Sequence, residues 1–366
     1  MKKISDQQRR FQKWKSAYVM RRRTAERRKK NQTCSRPHRQ RTDTATQSLT
    51  APSHFILLSK KSYQRGTDVS EYFKFLTTLR SVNSRNLVID MRGVRRMVVD
   101  AALLFKAELS RLVQLRGIRI DAIAPTSHRT QQVLKQTGID KLLNLKIEME
   151  PIREDVVHWR IAEGPRTGVD PADLEPMMLD IEEVTGLATH PVYQGIIESI
   201  GNCAEHAYKE HPEVTWKMPE SPSWWVFQQV KDGVLMVVVC DLGIGVNRAL
   251  PLTLANEQGF LKKLMHLVRR TNGEDARALV AAMEYGRSST GSHERGRGMK
   301  NAHAVINEHG EGDFYAISNK GFYVYVKSSA SVPGQSRTVK LRYSIHGTIL
   351  GWRLPLERVS QQGTSS

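Results

Sequence analysis

Between His54 and Leu145, short apolar strands alternate with helical segments. Side chains repeat every two residues in a strand and every 3.6 in a helix, so the two patterns can be told apart. Strands separated by helices of this length indicate βαβ units and a largely parallel sheet. The predicted strands are 55–58, 86–90 and 118–123, and the predicted helices are 69–79, 100–115 and 130–136, the last of which ends at Gly138.

Four stretches within segment 51–146 form a recognisable pattern: LVIDMRGV (87–94), VVDAAL (98–103), GIRI (117–120) and VLKQTGIDKLL (133–143). With them the segment resembles the STAS family, the fold of anti-sigma-factor antagonists. In that family a phosphorylatable Ser or Thr follows the aspartate that opens the longest helix, whereas here Asp100 precedes Ala101 and Ala102. The resemblance therefore implies a docking or dimerisation module without the usual phosphorylation site. That helix is predicted to be amphipathic, with Ala102, Leu103, Phe105, Leu109, Leu112 and Val113 on its apolar side.

Positive charge is concentrated at the N-terminus. The chain carries +19, and residues 1–42 hold sixteen Lys and Arg against Asp6 and Glu26, which is +14 and leaves +5 for the rest. Like-charge blocks cannot build a core, so 1–50 is predicted to be a basic tail and linker, disordered or helical over 5–30 on contact with a partner. Nucleic acid is one such partner, because Lys and Arg release counterions from phosphates. A solubilising arm or one that binds an acidic partner is the alternative.

Membrane spans and zinc sites are not predicted. The longest apolar run, 234–240, is far shorter than the ~20 residues that a spanning helix needs. The cysteines (Cys34, Cys203 and Cys240) show no paired spacing, which is typical of a reducing compartment. The expected location is the cytoplasm.

The second half of the chain begins after a connector. Residues 147–188 contain four prolines and are predicted to have little regular structure, ending in a helix near 179–184. A second domain is predicted over 189–358, followed by a short C-terminal tail over 359–366.

The first of three motifs in this second domain is a helix over 193–208. Glu198, Asn202 and His206 are spaced i, i+4 and i+8, so they project from one face. Mg²⁺ prefers oxygen ligands and keeps several waters, so one Asn carbonyl with nucleotide phosphates would make a sensible site. A carboxylate one turn away can accept a proton. For this motif alone a solvated helix face is the alternative, and His206 is predicted to be a hydrogen-bonded structural side chain.

The second motif is an apolar strand, 237–240, that runs into Asp241-x-Gly243-x-Gly245. Glycines let the backbone approach a ligand closely and adopt positive φ. Asp241 at the strand end is placed to accept a hydrogen bond from an exocyclic amine such as adenine N6. A strand-to-loop turn with an Asx cap is the alternative.

The third motif, Gly296-Arg297-Gly298, opens a helix over 299–307. Backbone N–H groups at a helix start bind phosphate oxygens. The polar, glycine-rich segment before it, 286–292, includes Ser289 and Thr290 and is typical of a mobile lid.

The order of these motifs, with a strand at 322–326 and a closing segment at 347–356, resembles the GHKL ATPase family of gyrase, histidine kinases, MutL and anti-sigma-factor kinases. The resemblance implies an α/β sandwich in which helices back one face of a mixed sheet and ATP lies between helices and lid. It implies Glu198 as general base, Asn202 as Mg²⁺ ligand and Asp241 as adenine reader. It places Gly243 and Gly245 beneath the base, Ser289, Thr290, Gly296, Arg297 and Gly298 at the lid and phosphates, and Thr348 beside Asp241.

The two resemblances together predict an ATP-binding regulatory protein. It would have Mg²⁺-dependent ATPase or protein Ser/Thr kinase activity on a separate regulatory protein. A histidine kinase is disfavoured, since no His-Glu-Leu-Arg-Thr-Pro-like helix precedes the second domain. The alternatives are an ATP-gated nucleic-acid-binding switch that uses residues 1–42 and a non-catalytic protein that sequesters its partner. A homodimer is compatible with each.

Overall fold

A computed structural model of the chain describes residues 46–57, 71–167, 170–185, 190–219, 221–255, 258–288 and 300–356. Helices and strands are mixed along the chain, which confirms the predicted α/β class. Within these ranges no helix has the length and apolar character required to cross a bilayer. The predictions for the tail over 1–45 and for 359–366 fall outside them.

The N-terminal part contains a three-stranded parallel sheet, which confirms the predicted βαβ organisation. Its strands lie in the order β1, β3, β5, and Asn86 pairs with Thr46 on one side and Arg119 on the other. Two shorter strands, β2 and β4, pair in parallel beside it. The elements are β1 Thr46–Thr50, β2 His54–Phe55, α1 Glu71–Arg80, β3 Asn86–Asp90, β4 Arg96–Met97, α2 Val99–Arg116, β5 Arg119–Ile123, α3 His128–Gln136 and α4 Ile139–Leu142.

Strand β1 corrects the predicted tail boundary, because residues 46–50 were assigned to the linker. Its residues alternate between exposed and half-buried, and Leu49 packs against the core. The Thr and Ser side chains that suggested a linker are the exposed ones, as expected for the outer face of an edge strand. Threonine is also β-branched and is favoured in strands.

The connector 147–188 is also more regular than predicted. Its strand β6 (Arg160–Gly164) joins the large sheet, and its helices are α5 (Glu154–Val157) and α6 (Pro171–Thr185), which contains the predicted helix 179–184. Two of the residues that suggested an irregular connector, Pro171 and Gly164, have a local use in regular structure. Pro171 begins α6, where a missing N–H is tolerated. A Cβ on Gly164 would lie 2.2 Å from the Trp224 ring.

The C-terminal part is a seven-stranded sheet in the order β11, β10, β9, β12, β8, β7, β6. Every pairing between these strands is antiparallel, so the predicted mixed sheet is wrong. The remaining elements are α7 His190–Asn202, a π-helical turn Cys203–Ala207, β7 Trp224–Lys231, β8 Val234–Asp241, α8 Val246–Thr253, α9 Gln258–Leu267, α10 Glu274–Ser288, α11 Lys300–His309, β9 Gly312–Ser318, β10 Gly321–Lys327, β11 Gln335–Lys340 and β12 Thr348–Pro355.

Helices cover both faces of this sheet, not one face as predicted. Successive side chains of a strand point to opposite faces. On β8, Val238 and Cys240 belong to the core that also contains α2, whereas Val239 and Asp241 face a cleft bounded by α7, α8 and α10. The second covering layer therefore comes from the N-terminal part of the chain.

Helix α2 supplies that layer, and it is buried all round where a single apolar side was predicted. Every residue from Val99 to Leu112 is buried, and α2 packs on α1 and α4 as well as on β7 and β8. A helix that is covered all round needs partners on more than one side. Val113, placed on the apolar side by the sequence pattern, is 36% exposed because it lies beyond this buried stretch.

Candidate functional site

A cleft of about 860 Å³, including the space at its mouth, lies on the face of the large sheet opposite α2. Its walls are mostly apolar, with a few polar side chains. The described residues that line it are Ser199, Asn202, Cys203, His206, Ala207, Val239, Asp241, Gly245, Val246, Ala249, Leu250, Thr253, Ala282, Tyr285, Thr348 and Leu350.

Asp241 is the one carboxylate among these lining residues. It ends β8, is 9% exposed, and its Oδ1 accepts a hydrogen bond from the Gly243 N–H at 2.8 Å. Burial raises its pKa to about 7, although hydrogen bonds from Gly243 N–H and from the N–H and hydroxyl of Thr348 act in the opposite direction. A carboxylate held in an apolar cleft at this pKa is typical of a functional position.

Thr348 is placed by the sheet. It begins β12 and pairs directly with Asp241 across the β8–β12 ladder. Its hydroxyl lies 3.4 Å from that of Ser318 on β9, and Ser318 accepts a hydrogen bond from the Val246 N–H at 2.8 Å. The predicted position of Thr348 beside Asp241 is therefore found, and Ser318 is a neighbour that the sequence reasoning missed.

The two glycines of the second motif serve close backbone contacts. A Cβ on Gly243 would lie 2.1 Å from the carbonyl oxygen of Ala207, and the neighbouring Ile244 N–H donates to that oxygen at 2.7 Å. Gly245 has φ +81° and precedes α8, and a Cβ there would meet the Asn319 side chain. Gly245 lines the cleft, whereas Gly243 does not and instead lets the loop meet the end of the first motif.

The first motif is not one continuous α-helix. Helix α7 ends at Asn202 and continues as the π-helical turn Cys203–Ala207, a feature that is frequent at functional sites. Asn202 and His206 both line the cleft, as their spacing predicted. Glu198 is half-buried one turn earlier and is not among the described lining residues.

His206 is a partly buried member of the cleft wall. Its Nδ1 lies 3.4 Å from the Thr253 hydroxyl, a contact that agrees with the predicted hydrogen-bonded role. Burial, and the nearby Lys209 charge, lower the pKa of His206 below its usual value. The ring is therefore neutral at physiological pH.

Tyr208 ties the first motif to the second. Its hydroxyl accepts a hydrogen bond from the Leu242 N–H at 3.1 Å and donates one to the Ser223 carbonyl. Its place at the end of the first motif was visible in the sequence, but nothing there indicated which backbone group it would meet.

The third motif lies outside the described residues, as do positions 289–292 of the predicted lid, whereas residues 286–288 of that segment are the end of helix α10. Ser289, Thr290, Gly296, Arg297 and Gly298 therefore keep only their predicted roles. The helix predicted to follow is found as α11, Lys300–His309, and α11 packs against α7.

The apolar wall was largely missed from sequence. Helix α8 supplies Val246, Ala249 and Leu250, and α10 supplies Ala282 and Tyr285. The apolar spacing that directly follows Gly245 indicates a helix there, but it does not show that α8 and α10 face the cleft. Among the described residues no group of three or more His, Cys, Asp or Glu side chains could hold a metal ion.

Comparison of the chain with protein-family models, with curated proteins and with solved structures finds no match in any of the three.

Proposed function

We propose that the cleft binds ATP and that the chain is a regulatory ATPase or protein kinase resembling the GHKL family. The observation that carries the proposal is Asp241, a buried carboxylate in a mostly apolar cleft. Apolar walls with an oriented acceptor suit a purine base. The order of the three sequence motifs gives independent support.

With position 6 of the base facing Asp241, as the resemblance implies, the carboxylate favours adenine over guanine. Adenine presents an amino group at that position, which donates to a carboxylate, whereas guanine presents a carbonyl oxygen there and would have to turn its N1–H and N2 amino edge to Asp241 instead. Hydrogen bonds to charged groups contribute about 1.5–3 kcal/mol, and an unmatched buried partner costs a similar amount. Hydrogen bonds that Gly243 and Thr348 donate to Asp241 fix the orientation of its carboxylate, so the group does not have to rotate when a base binds.

The residues near Asn202 fit a magnesium nucleotide. Asn202 ends α7, is half-buried and lines the cleft, so its side-chain oxygen could be the single protein ligand of an ion otherwise bound by phosphates and water. Bound there, Mg²⁺ would neutralise phosphate charge. Glu198, one helical turn earlier, would accept the proton of an attacking water or hydroxyl.

The substrate of the proposed kinase would be a separate protein. In the STAS-like part, Ala101 and Ala102 occupy the family's phosphoacceptor region, and both are fully buried. The Tyr72 hydroxyl also donates to the Ala101 carbonyl at 2.6 Å. The start of α2 therefore offers neither a hydroxyl nor an accessible surface, and we propose that this module docks on the ATP-binding part of its own chain.

The experiment is calorimetric titration of ATP with Mg²⁺ into the wild-type chain and Asp241→Asn. We expect Asp241→Asn to bind ATP at least ~10-fold more weakly, because one acceptor becomes a donor. The control is Asp313→Asn, since Asp313 is a half-buried carboxyl that also has a raised pKa but pairs with Arg353 on the sheet and does not line the cleft. Equal ATP affinity in all three chains would overturn the proposal.

Catalysis is tested separately with γ-labelled ATP. Glu198→Gln should retain ATP binding and lose most release of labelled phosphate or transfer to a protein partner. Release without transfer to any candidate partner would favour the ATPase over the kinase.

A nucleic-acid switch is the second candidate, favoured by the +14 charge of residues 1–42. Its test is duplex binding across a salt series with and without residues 1–42. An unchanged affinity and salt slope after the deletion would remove this candidate.

A further inference from the structure

Arg80, the last residue of α1, reaches from the N-terminal part to the loop that leads into β12. Its Nη1 donates to the Ser344 carbonyl at 2.9 Å, and its Nη2 donates to the Ile345 carbonyl at 2.7 Å. The side chain of Arg80 is only 10% exposed. A guanidinium that donates to two successive carbonyls fixes the backbone between them, because its fork is planar and rigid.

Arg80 is itself held by a buried carboxylate on α2. Its Nε donates to Glu108 Oε1 at 2.6 Å, and Glu108 also pairs with Arg111 at 2.7 Å. Burial acts to raise the pKa of Glu108, but the two guanidinium charges outweigh it and the pKa lies below its usual value. Breaking such a pair leaves an uncompensated buried charge, so the position of Arg80 is strongly determined.

The loop 341–347 is connected to the cleft through Asn319. The Ile345 N–H donates to the Asn319 carbonyl at 3.1 Å, and the Asn319 N–H donates to the Gly347 carbonyl at 3.0 Å. The Asn319 amide donates to the Ile244 carbonyl at 3.0 Å, within the second motif.

Gly347 completes the connection at the other end of the loop. A Cβ on Gly347 would lie 2.1 Å from the carbonyl oxygen of Asp241. The next residue, Thr348, donates hydrogen bonds to the Asp241 carboxylate. The loop to which Arg80 donates its hydrogen bonds is therefore in close contact with the backbone and side chain of Asp241.

We infer that Arg80 is a positioning residue for the nucleotide cleft: it holds loop 341–347, and through that loop sets Thr348 and Asp241 for the adenine base. The inference rests on the proposed function. It gives the STAS-like part a role in the affinity of the site, since any movement of α1 or α2 that withdraws Arg80 would loosen the adenine end of the cleft.

The chain offers a matched control for this inference. Arg111 shares Glu108 with Arg80 and is similarly buried, and its side chain donates to Glu108. It acts on loop 341–347 through its charge near His346, whereas Arg80 donates hydrogen bonds to two carbonyls of that loop. Lysine at either position keeps a positive charge for Glu108, whereas lysine at position 80 cannot donate to two carbonyls in a fixed geometry. Comparing Arg80→Lys with Arg111→Lys therefore separates the effect of the hydrogen bonds to the loop from the effect of the ion pairs with Glu108.

The experiment uses the full chain, and ATP affinity is measured for wild type, Arg80→Lys and Arg111→Lys. We expect ATP binding by Arg80→Lys to weaken by ~10-fold, within the usual range of coupling between sites, and Arg111→Lys to bind within about twofold of wild type. Equal losses in both variants would overturn the inference, because the effect would then belong to the Glu108 network. Wild-type affinity in Arg80→Lys would overturn it as well.

Amide hydrogen exchange on the nucleotide-free chain tests directly whether Arg80 holds loop 341–347 in place. The amides of Asn319 and Ile345 should exchange faster in Arg80→Lys than in Arg111→Lys, because their hydrogen bonds depend on the loop. If Arg80→Ala is stable enough to purify, added methylguanidinium should restore slow exchange and ATP affinity together. Unchanged exchange would overturn the inference. A wild-type chain that binds no ATP would instead overturn the proposed function, and the exchange data would still decide whether Arg80 holds the loop.

Discussion

At the residue scale, Asp241 combines burial with a fixed orientation. Its carboxylate is removed from water by the sheet and by the apolar wall of the cleft, which raises its pKa to about 7. Hydrogen bonds from Gly243 and Thr348 stabilise the charged form and act to lower the pKa, so the carboxyl still ionises near neutral pH. A ligand amine at this position would favour the ionised form further and lower the pKa in the complex.

This pKa predicts a pH dependence of nucleotide affinity. The free protein takes up a proton on Asp241 below pH ~7, and the bound form must release it, so ATP affinity should fall by up to ~10-fold per unit as pH drops below 7. Above pH 7 the affinity should be constant. Calorimetry of wild type against Asp241→Asn between pH 5.5 and 8.5 checks this, since titration of the nucleotide phosphates is common to both chains. Parallel profiles would contradict the assignment.

Gly243 gives a second prediction at this scale. Gly243→Ala would bring a methyl group to 2.1 Å from the Ala207 carbonyl and displace the loop that carries Asp241. We expect a loss of about 1–3 kcal/mol or more in the free energy of unfolding, measured by denaturant titration. Gly93→Ala is the control, because no atom lies within 4 Å of its Cβ position, and it should be neutral within about 0.5 kcal/mol. Similar values for the two variants would show that the contact with Ala207 is not required.

At the element scale, local pattern predicted most strands and helices of the N-terminal part and failed where a partner lies far away in sequence. Strand β3 has the predicted bounds, because five alternating or buried residues flanked by polar ones need no distant information. Helix α2 was predicted with one apolar side, because strands β7 and β8, which cover another side, follow more than a hundred residues later. Strand β6 was missed because an edge strand between prolines lacks the apolar run of a central strand.

The corrected assignment of β1 predicts different results for two truncations. Removing residues 1–45 should leave the free energy of unfolding nearly unchanged, whereas removing residues 1–50 should lower it by roughly 0.5–1.5 kcal/mol for each backbone hydrogen bond lost. Denaturant titration of the two chains measures the difference. An equal free energy of unfolding for the two truncated chains would contradict the assignment of residues 46–50 to a strand.

The candidate site shows the same division between local and distant information. Asn202, Asp241, Gly245 and Thr348 were predicted from motifs and all line one cleft. The apolar wall from α8 and α10 and the contacts of Asn319 depend on how separate elements pack, which no local spacing encodes. Glu198 lies on the same helix as Asn202 but does not line the cleft. Its predicted role as general base is therefore tested by the rate of phosphate release from ATP.

At the scale of the whole molecule, the predicted domains share one hydrophobic core. The core runs from Ala51 through α2 to Ile349, and Asp43–Ser366 forms one compact unit. The net charge also differs between the two sides of the predicted domain boundary at residues 146–147. Residues 51–146 hold 17 Lys and Arg against 7 Asp and Glu, or +10, whereas 147–366 hold 23 against 27, or −4. Opposite net charge favours the docking of the two parts.

This shared core predicts that the C-terminal part does not behave as an independent domain. A chain of residues 147–366 would expose the sheet face that carries Trp225, Phe227 and Val238, which α2 covers in the intact chain. Exposed apolar faces of this kind cause association. We expect 147–366 to aggregate or bind a hydrophobic dye, and 43–366 to remain monodisperse by light scattering. A stable, dye-negative 147–366 would contradict the shared core.

The central claim is that the cleft recognises adenine through Asp241. The most direct measurement is the ratio of wild-type affinities for ATP and GTP, determined by calorimetry at pH 8, where Asp241 is ionised. The two nucleotides share their sugar and phosphates, so the ratio reports the base alone. We predict that ATP binds at least ~10-fold more tightly than GTP. Equal binding, or tighter binding of GTP, would contradict the claim.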